Sequence, residues 1–230
     1  MTTELHRVRT AEEGLALEAA LFASSDPGVL VWCPQTRGIV CPAALIRKQG
    51  CKVGVEFEGW PIIPRLTGGG AVPQGPGVLN LALSYSVENG ETIDAAYASL
   101  TAILRGALSG LELELEAGKT PASFCDGRWN LSCRGKKIVG TAQRWKARPE
   151  GGFRVLAHAL ILVEGDVQKD AQVIATLHRS LGLPTVDPGT HETLRSLKGK
   201  EMPGMAEISE RLYRASWKWL QNRRPALAAA

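Results

Sequence analysis

The residues best suited to chemistry in this chain lie in three short stretches. The first is Arg65-Leu66-Thr67-Gly68-Gly69-Gly70-Ala71, followed by Gln74-Gly75-Pro76-Gly77. Glycine tolerates positive φ and close backbone approach. Consecutive N–H groups in such turns form an anion-binding concavity. Arg65 adds a cationic fork that can bind phosphate or brace the loop. The same glycines also suit a plain tight turn between strands, and both readings stand. The loop is neither a P-loop nor a dinucleotide fingerprint, because it lacks G-x-x-x-x-G-K-[ST] and G-x-G-x-x-G spacing. The second stretch is Lys137-Ile138-Val139-Gly140-Thr141-Ala142, a lysine opening an extended run in which alternation puts Lys137, Val139 and Thr141 on one face. The third is Phe124-Cys125-Asp126-Gly127-Arg128-Trp129-Asn130, which offers a thiol. Cys125 reads equally as a nucleophile or as a small buried residue.

Hydrophobic periodicity supplies the elements that must hold these stretches. Residues 11–24 and 91–109 read as helices, and 42–50 as a short helix with Pro42 near its start. Strands are expected over the apolar run Val29–Trp32, within 28–40, and over 61–66 and 78–86. The alternating Leu111-Glu112-Leu113-Glu114-Leu115-Glu116 reads as a half-buried strand. A meander is expected over 128–133, 136–145 and 153–163, turning at Arg134-Gly135 and at Pro149–Gly152. Residues 168–222 read as helical, broken at Leu183-Pro184 and Met202-Pro203-Gly204. This order implies an α+β fold with a mixed, largely antiparallel sheet flanked by helices. Residues 1–165 form the expected core, and 166–230 a helical C-terminal segment packed on it, with Pro225–Ala230 a frayed end.

The 230 residues are 44% hydrophobic and 22% charged with net charge +4, a composition that does not by itself imply nucleic acid. The N-terminus lacks a signal-peptide pattern, and no run approaches the ~20 apolar residues of a membrane span. Five cysteines (Cys33, Cys41, Cys51, Cys125, Cys133) without a C-x-x-C pair argue against a disulfide framework or zinc site. They suggest reduced thiols and a cytoplasmic protein. His6 reads as near a frayed end, His178 and His191 as solvated, and Asp126 and Asn130 as turn residues.

Taken together, Pro64–Gly75 and Lys137–Ala142 resemble the biotin/lipoate A/B protein ligase family, lipoyl branch, which carries R-R-x-[ST]-G-G-G-x-V-x-H-D and K-[ILV]-x-G-[ST]-A. Leu15–Leu21 is similar to the family's A-L-E-E-A-[LI] helix, and Ala157-His158-Ala159-Leu160 to its H-G-[ST]-[IL] strand. The resemblance implies the catalytic fold shared with biotin ligases and class II aminoacyl-tRNA synthetases. It implies attachment of lipoyl or octanoyl groups to a lysine of a lipoyl-domain protein through an acyl-adenylate made from Mg-ATP. Gly68, Gly69, Gly70 and Ala71 would supply N–H donors, Lys137 the cation, and Arg65 and Thr67 loop contacts. Gln74, Gly140, Thr141, Ala142 and His158 complete the implied binding set, with Gly69, Gly70 and Ala142 leaving room for an acyl chain. No bound metal and no permanently held cofactor are implied.

The chain departs from this pattern. Gln74-Gly75 replaces the ligase His-Asp, and Gln74-Gly75-Pro76-Gly77-Val78-Leu79 resembles the H-G-P-G-Q-L of octanoyltransferases with glutamine for histidine. Glutamine cannot titrate. The accessory domain of many ligases is not seen after residue 165, so a separate subunit is one expectation. The segment around Cys125 resembles, in shortened form, the C-F-D-x-P-S-x-Y-E of cysteine-dependent octanoyltransferases. Three readings follow: an ATP-dependent ligase using free lipoate or octanoate, a transferase using octanoyl acyl carrier protein with Cys125 as nucleophile, or a non-catalytic homologue that binds lipoyl domains or acyl groups.

Overall fold

The structure, a computed structural model, describes residues 5–49 and 54–223. Cys51, the first four residues and the Pro225–Ala230 tail lie outside the described residues, so the expectations placed on them go no further.

The strands are β1 (His6–Val8), β2 (Gly28–Pro34), β3 (Gly38–Pro42), β4 (Glu56–Phe57), β5 (Trp60–Arg65), β6 (Val72–Gln74), β7 (Val78–Val87), β8 (Glu116–Ala117), β9 (Leu131–Cys133), β10 (Lys136–Ala147) and β11 (Phe153–Leu162). The α-helices are α1 (Ala11–Ala23), α2 (Ala43–Gln49), α3 (Ile93–Leu108), α4 (Val167–Ser180), α5 (Leu194–Lys198) and α6 (Met205–Arg223). A seven-stranded sheet runs β1-β2-β7-β11-β10-β9-β8, and a four-stranded sheet runs β4-β5-β3-β6. All pairs of the large sheet are antiparallel except β1–β2, and in the small sheet β3–β5 is parallel. The architecture is therefore α+β with a mixed, largely antiparallel sheet flanked by helices.

Period-two alternation sorts the side chains of the large sheet into two cores. Leu79, Leu81, Leu83 and Tyr85 of β7 and Val155, Ala157 and Ile161 of β11 pack with buried residues of α3 and α6. Trp219 of α6 meets the Tyr85 ring edge-on at 4.9 Å, so the Trp217–Trp219 segment covers the sheet as its apolar spacing suggests. On the opposite face, Ala82, Leu156, Leu160 and Leu162 pack with α4 and the small sheet. Helix α1 packs there too. Gly14 approaches the Trp32 ring so closely that a Cβ would lie 2.2 Å from it. Thr10 caps the helix by accepting the Glu13 N–H, a contact worth about 1 kcal/mol.

The expected strand Val29–Trp32 forms within β2, and the run 28–40 ends in a second strand in the other sheet, since β2 pairs with β7 and β3 with β5 and β6. One expectation fails for a local reason. The Leu-Glu alternation of 111–116 is not a strand: a 3-10 turn covers Ser109–Leu111, Glu112 adopts φ 52°, and only Glu116–Ala117 pairs. Leu113 and Leu115 still pack against the core, so their spacing is satisfied without a ladder. The Arg134-Gly135 turn has φ of 51° and 74°, the hand that a two-residue hairpin requires.

Gly77 fastens the strand that leads from the glycine loop to the core. Its carbonyl accepts the N–H groups of Val163 and Glu164, its φ is 91°, and a Cβ would lie 2.2 Å from the Glu164 carbonyl oxygen. Gly77→Ala is expected to lower the unfolding free energy by about 2 kcal/mol or more. Urea denaturation reads this directly; a wild-type midpoint would refute the packing described.

Candidate active site

The glycine loop connects β5 to β6, and what it approaches is Cys125. The Gly70 N–H donates to Cys125 Sγ at 3.1 Å. A Cβ on Gly69 (φ 102°) would lie 2.7 Å from that sulfur, and one on Gly70 would lie 3.2 Å from the Cys125 Cα. These glycines therefore make room for the cysteine, not for an acyl chain. Arg65, buried beneath, donates from Nη2 to the carbonyls of Gly68 (2.9 Å) and Gly70 (2.7 Å) and from Nη1 to Val40 O (3.3 Å). Its Nη2 also lies 4.0 Å from Cys125 Sγ. Arg65 thus braces the loop and brings positive charge to the thiol.

Cys125 sits half-buried in the left-handed region, φ 48°. That conformation costs a non-glycine residue about 1–3 kcal/mol, and neighbours hold it. Lys137, fully buried, donates from Nζ to Phe124 O (2.5 Å) and Cys125 O (2.9 Å). Asn130 donates from Nδ2 to Cys125 O (2.9 Å) and accepts the Thr141 N–H at 2.9 Å. Asp126 accepts the Thr120 N–H at 2.8 Å, closing the same loop. Asn130 is thus more than a turn residue, since it ties the cysteine loop to β10. A register shift between Lys137 and Val139 breaks strict alternation. Val139 packs against the α3/α6 core while Lys137 reaches the cysteine loop, so the expected shared face of Lys137, Val139 and Thr141 does not form.

The electrostatics follow from this geometry. Burial pushes the Cys125 thiol upward, but the charges of Lys137 and Arg65 and the Gly70 N–H outweigh it, and its pKa is lowered below the ordinary thiol value of 9.0. Burial lowers the Lys137 pKa to about 8, although the charges of Cys125 and Asp126 hold it up. Thiolate and ammonium stabilise each other.

His191 completes the support, although the sequence alone suggested a solvated residue. It is fully buried and stacks on Phe124 at 4.1 Å between ring centroids. Its Nε2 accepts the Phe124 N–H at 3.0 Å, which requires the unprotonated nitrogen. Burial lowers its pKa to about 4. The flanking backbone is pinned as well: Asp187 N–H donates to Ala122 O (2.8 Å) and Glu192 N–H to Lys137 O (3.0 Å). His178 is likewise buried, with Nδ1 2.7 Å from Pro184 O.

Beside the thiol a cleft opens between Leu15, Trp32, Val40, Val72, Ala142 and Leu160. Gly140, Thr141, Gln74, His158 and Glu18 also line it. Gln74 and Asn80 exchange two amide hydrogen bonds of 2.7 and 3.0 Å, so Gln74 is locked in the wall. Buried Glu18 accepts from Trp32 Nε1 (3.0 Å) and pairs with His158 Nδ1 (3.0 Å), whose Nε2 lies 3.1 Å from Thr67 Oγ1. With the carboxylate as acceptor, Nδ1 carries a proton toward Glu18. Helix α1 thereby fixes one wall and the loop together. Ala71 is fully buried, and Gly68 faces a neighbouring hollow. Sequence reasoning did not single out Glu18, Asn130 or His191 for the site; His158 lies 140 residues from Glu18 and Phe124 lies 67 from His191, while Asn130 read as an ordinary turn residue.

The lipoyl protein ligase A/B catalytic domain model matches residues 12–214, and the chain belongs to that family. An uncharacterised protein of Cupriavidus necator is 43% identical over 154 residues, 60% of this chain and 61% of that protein, so this match spans less than two thirds of the relative. An octanoyl-[GcvH]:protein N-octanoyltransferase of Anoxybacillus flavithermus is 34% identical over 222 residues, 89% of this chain and 78% of that protein. The fold matches a crystal structure of lipoate-protein ligase A bound with ATP at TM-score 0.66 and 18% identity, covering 95% of this chain and 86% of the other. No helix among the described residues is long and apolar enough to cross a membrane.

Two measurements test the site. Alkylation of Cys125 by iodoacetamide should show an inflection below pH 9, and Lys137→Met should move it up by about 1–3 units. An unmoved inflection would separate the lysine charge from the thiol. For His191, the folded-state pKa of about 4 lies below the ordinary 6.5. The unfolded chain then binds more protons between these values, so stability falls as pH drops through that window. His191→Gln, which keeps an acceptor but does not titrate, should remove about 3 kcal/mol of that pH-dependent loss in urea titrations. Parallel slopes for both proteins would show that His191 is not buried neutral.

Proposed function

We infer that this chain is a protein-lipoylation acyltransferase that carries an octanoyl group on Cys125 as a thioester and passes it to a lysine of a lipoyl-domain protein. The observation that carries this reading is the thiol itself, held against the Gly70 N–H between Lys137 and Arg65. The name of the Anoxybacillus relative supports the same chemistry, with an octanoylated protein as donor.

The thiolate attacks the donor carbonyl, forming a C–S bond. The donor C–N bond breaks, and the leaving amine takes up a proton. If the donor is instead an octanoyl carrier-protein thioester, a C–S bond breaks and a thiol leaves. The acceptor lysine amine then attacks the enzyme thioester, forming C–N and breaking C–S. One proton is released and the thiolate returns to its cationic setting. Low thiol pKa assists both halves, since the thiolate is nucleophile first and leaving group second. The apolar cleft takes the chain, at about 0.8 kcal/mol for each buried CH₂. Lys137 and Arg65 act on the thiol, with His191 and Asn130 holding the loop that carries it. Glu18, His158 and Gln74 shape the cleft. The work belongs to the reducing cytoplasm, where the thiol persists.

The second reading is the ATP-dependent ligase, favoured by the fold match to a ligase bound with ATP. An adenylate would want loop N–H groups and Lys137 directed at its phosphate. Here the Gly70 N–H is directed at sulfur, the Gly68 and Gly70 carbonyls at Arg65, and Lys137 at two carbonyls. Those engagements favour the thioester.

The deciding experiment is the intact mass of an apo lipoyl domain after incubation with the enzyme in three tubes. The first holds an octanoylated lipoyl-type protein, the second octanoyl carrier protein, and the third octanoate or lipoate with Mg-ATP. Acylation in the first or second, lost in Cys125→Ser, is the expected result. Acylation in the third alone, retained by Cys125→Ser, would establish the ligase reading and a requirement for Mg-ATP. Acceptor binding without acylation in any tube would favour the non-catalytic homologue or a missing accessory subunit.

A further inference from the structure

We propose that the outer mouth of the cleft is a docking surface for an acidic face of the acyl-bearing protein partner. Its centre is Leu66, and Arg47, Arg144 and Lys146 form its rim. The proposal rests on the transferase reading above and adds how the protein substrate is held.

Three hollows meet at this mouth, and Leu66 and Arg144 line each of them. The first shares Leu15, Glu18 and Arg65 with the thiol cleft, so the surface is continuous with the site. The second extends to Lys146, and the third to Arg47. Leu66 is 64% exposed although it stands between two buried loop residues, Arg65 and Thr67. An exposed apolar side chain at the centre of a cationic rim is the composition of a protein interface, with an apolar contact enclosed by polar ones.

The charge pattern selects the partner. Arg148 and Arg154, farther along the same hollow, are already engaged: Arg148 with Glu88 and Glu150, and Arg154 with the carbonyls of Leu21, Ser25 and Asp26. Among the described residues, Arg47, Arg144 and Lys146 have no carboxylate partner. Arg144 lies over the Phe22 ring with its guanidinium carbon 5.5 Å from the centroid, which holds it in place while leaving its N–H groups available. Three uncompensated cations beside the opening through which an acyl-lysine must enter are complementary to carboxylates flanking that lysine on the partner. A few cations around one leucine fit a compact protein face better than a long polyanion, which calls for an extended basic track.

The test uses the full chain and two readouts. The first is acylation of Cys125 by the small thioester octanoyl-N-acetylcysteamine, followed by intact mass. The second is octanoyl transfer to Cys125 from an octanoylated lipoyl-type protein, read in the same way. Arg47→Glu with Lys146→Glu, both at exposed positions, should leave the first within about twofold. It should lower kcat/KM of the second at least about tenfold at low salt, and the gap should close as salt is raised. A control reversal at Arg105 and Lys218, exposed on α3 and α6 across the large sheet, should change neither. Unchanged transfer in the double variant would overturn the docking surface while leaving the acyl-thioester reading intact, and so would an equal loss in the control. A wild type whose Cys125 accepts no acyl group would remove both.

Discussion

The site depends on a buried ammonium. Lys137 has no exposed surface, and an uncompensated charge in such a place costs several kcal/mol. Its compensation comes from two carbonyls of the cysteine loop, to which the charge of Cys125 adds whenever the thiol is ionised. Much else in the region serves that requirement. The Phe124 and Cys125 carbonyls can both turn to Nζ only if the chain bends sharply, and Cys125 takes a left-handed conformation there. The bend carries the sulfur up against the loop, so Gly69 has no room for a side chain and Gly70 little. Arg65 then holds the loop carbonyls away from the thiol and leaves an N–H facing it. One lysine thus links a strained cysteine, a glycine turn and a lowered thiol pKa.

The same dependence explains the chain beyond β11. The segment between α4 and α5 returns to the cysteine loop, where His191 accepts the Phe124 N–H while the Phe124 carbonyl accepts from Lys137. The two peptide groups that flank Phe124 are thus each held, one by His191 and the other by Lys137. The imidazole must stay neutral to accept, and its burial keeps it so. Helix α1 does comparable work on the other wall through Glu18, which fixes Trp32 and His158 together.

Much of this was legible in the sequence where local pattern and local structure coincide. Helices α1 and α3, strands β7, β10 and β11, and the hairpin at Arg134-Gly135 follow from period and turn chemistry because one face of each meets one core. The alternation of residues 111–116 misled because Leu113 and Leu115 reach the core from an irregular segment, and burial does not require a ladder. Arg65, the three glycines, Cys125 and Lys137 stood out by type. The role of the glycines did not: a glycine run announces close approach without naming what approaches. His191 was invisible because its partner lies 67 residues away and nothing near it in sequence forms a motif.

The loop's donors and acceptors are arranged around the sulfur. Fixed positive charge and an inward N–H at the end of an apolar cleft stabilise an electron-rich atom placed there. Here the thiol occupies the position where the loop N–H and both cations converge, and it forms part of the folded loop's own hydrogen bonding. Replacing it would leave Gly70 N–H and Arg65 facing a gap, in a loop whose glycines were shaped around sulfur. The cysteine is therefore integral to the loop's geometry, and the chemistry of the site is bound up with the way that loop folds.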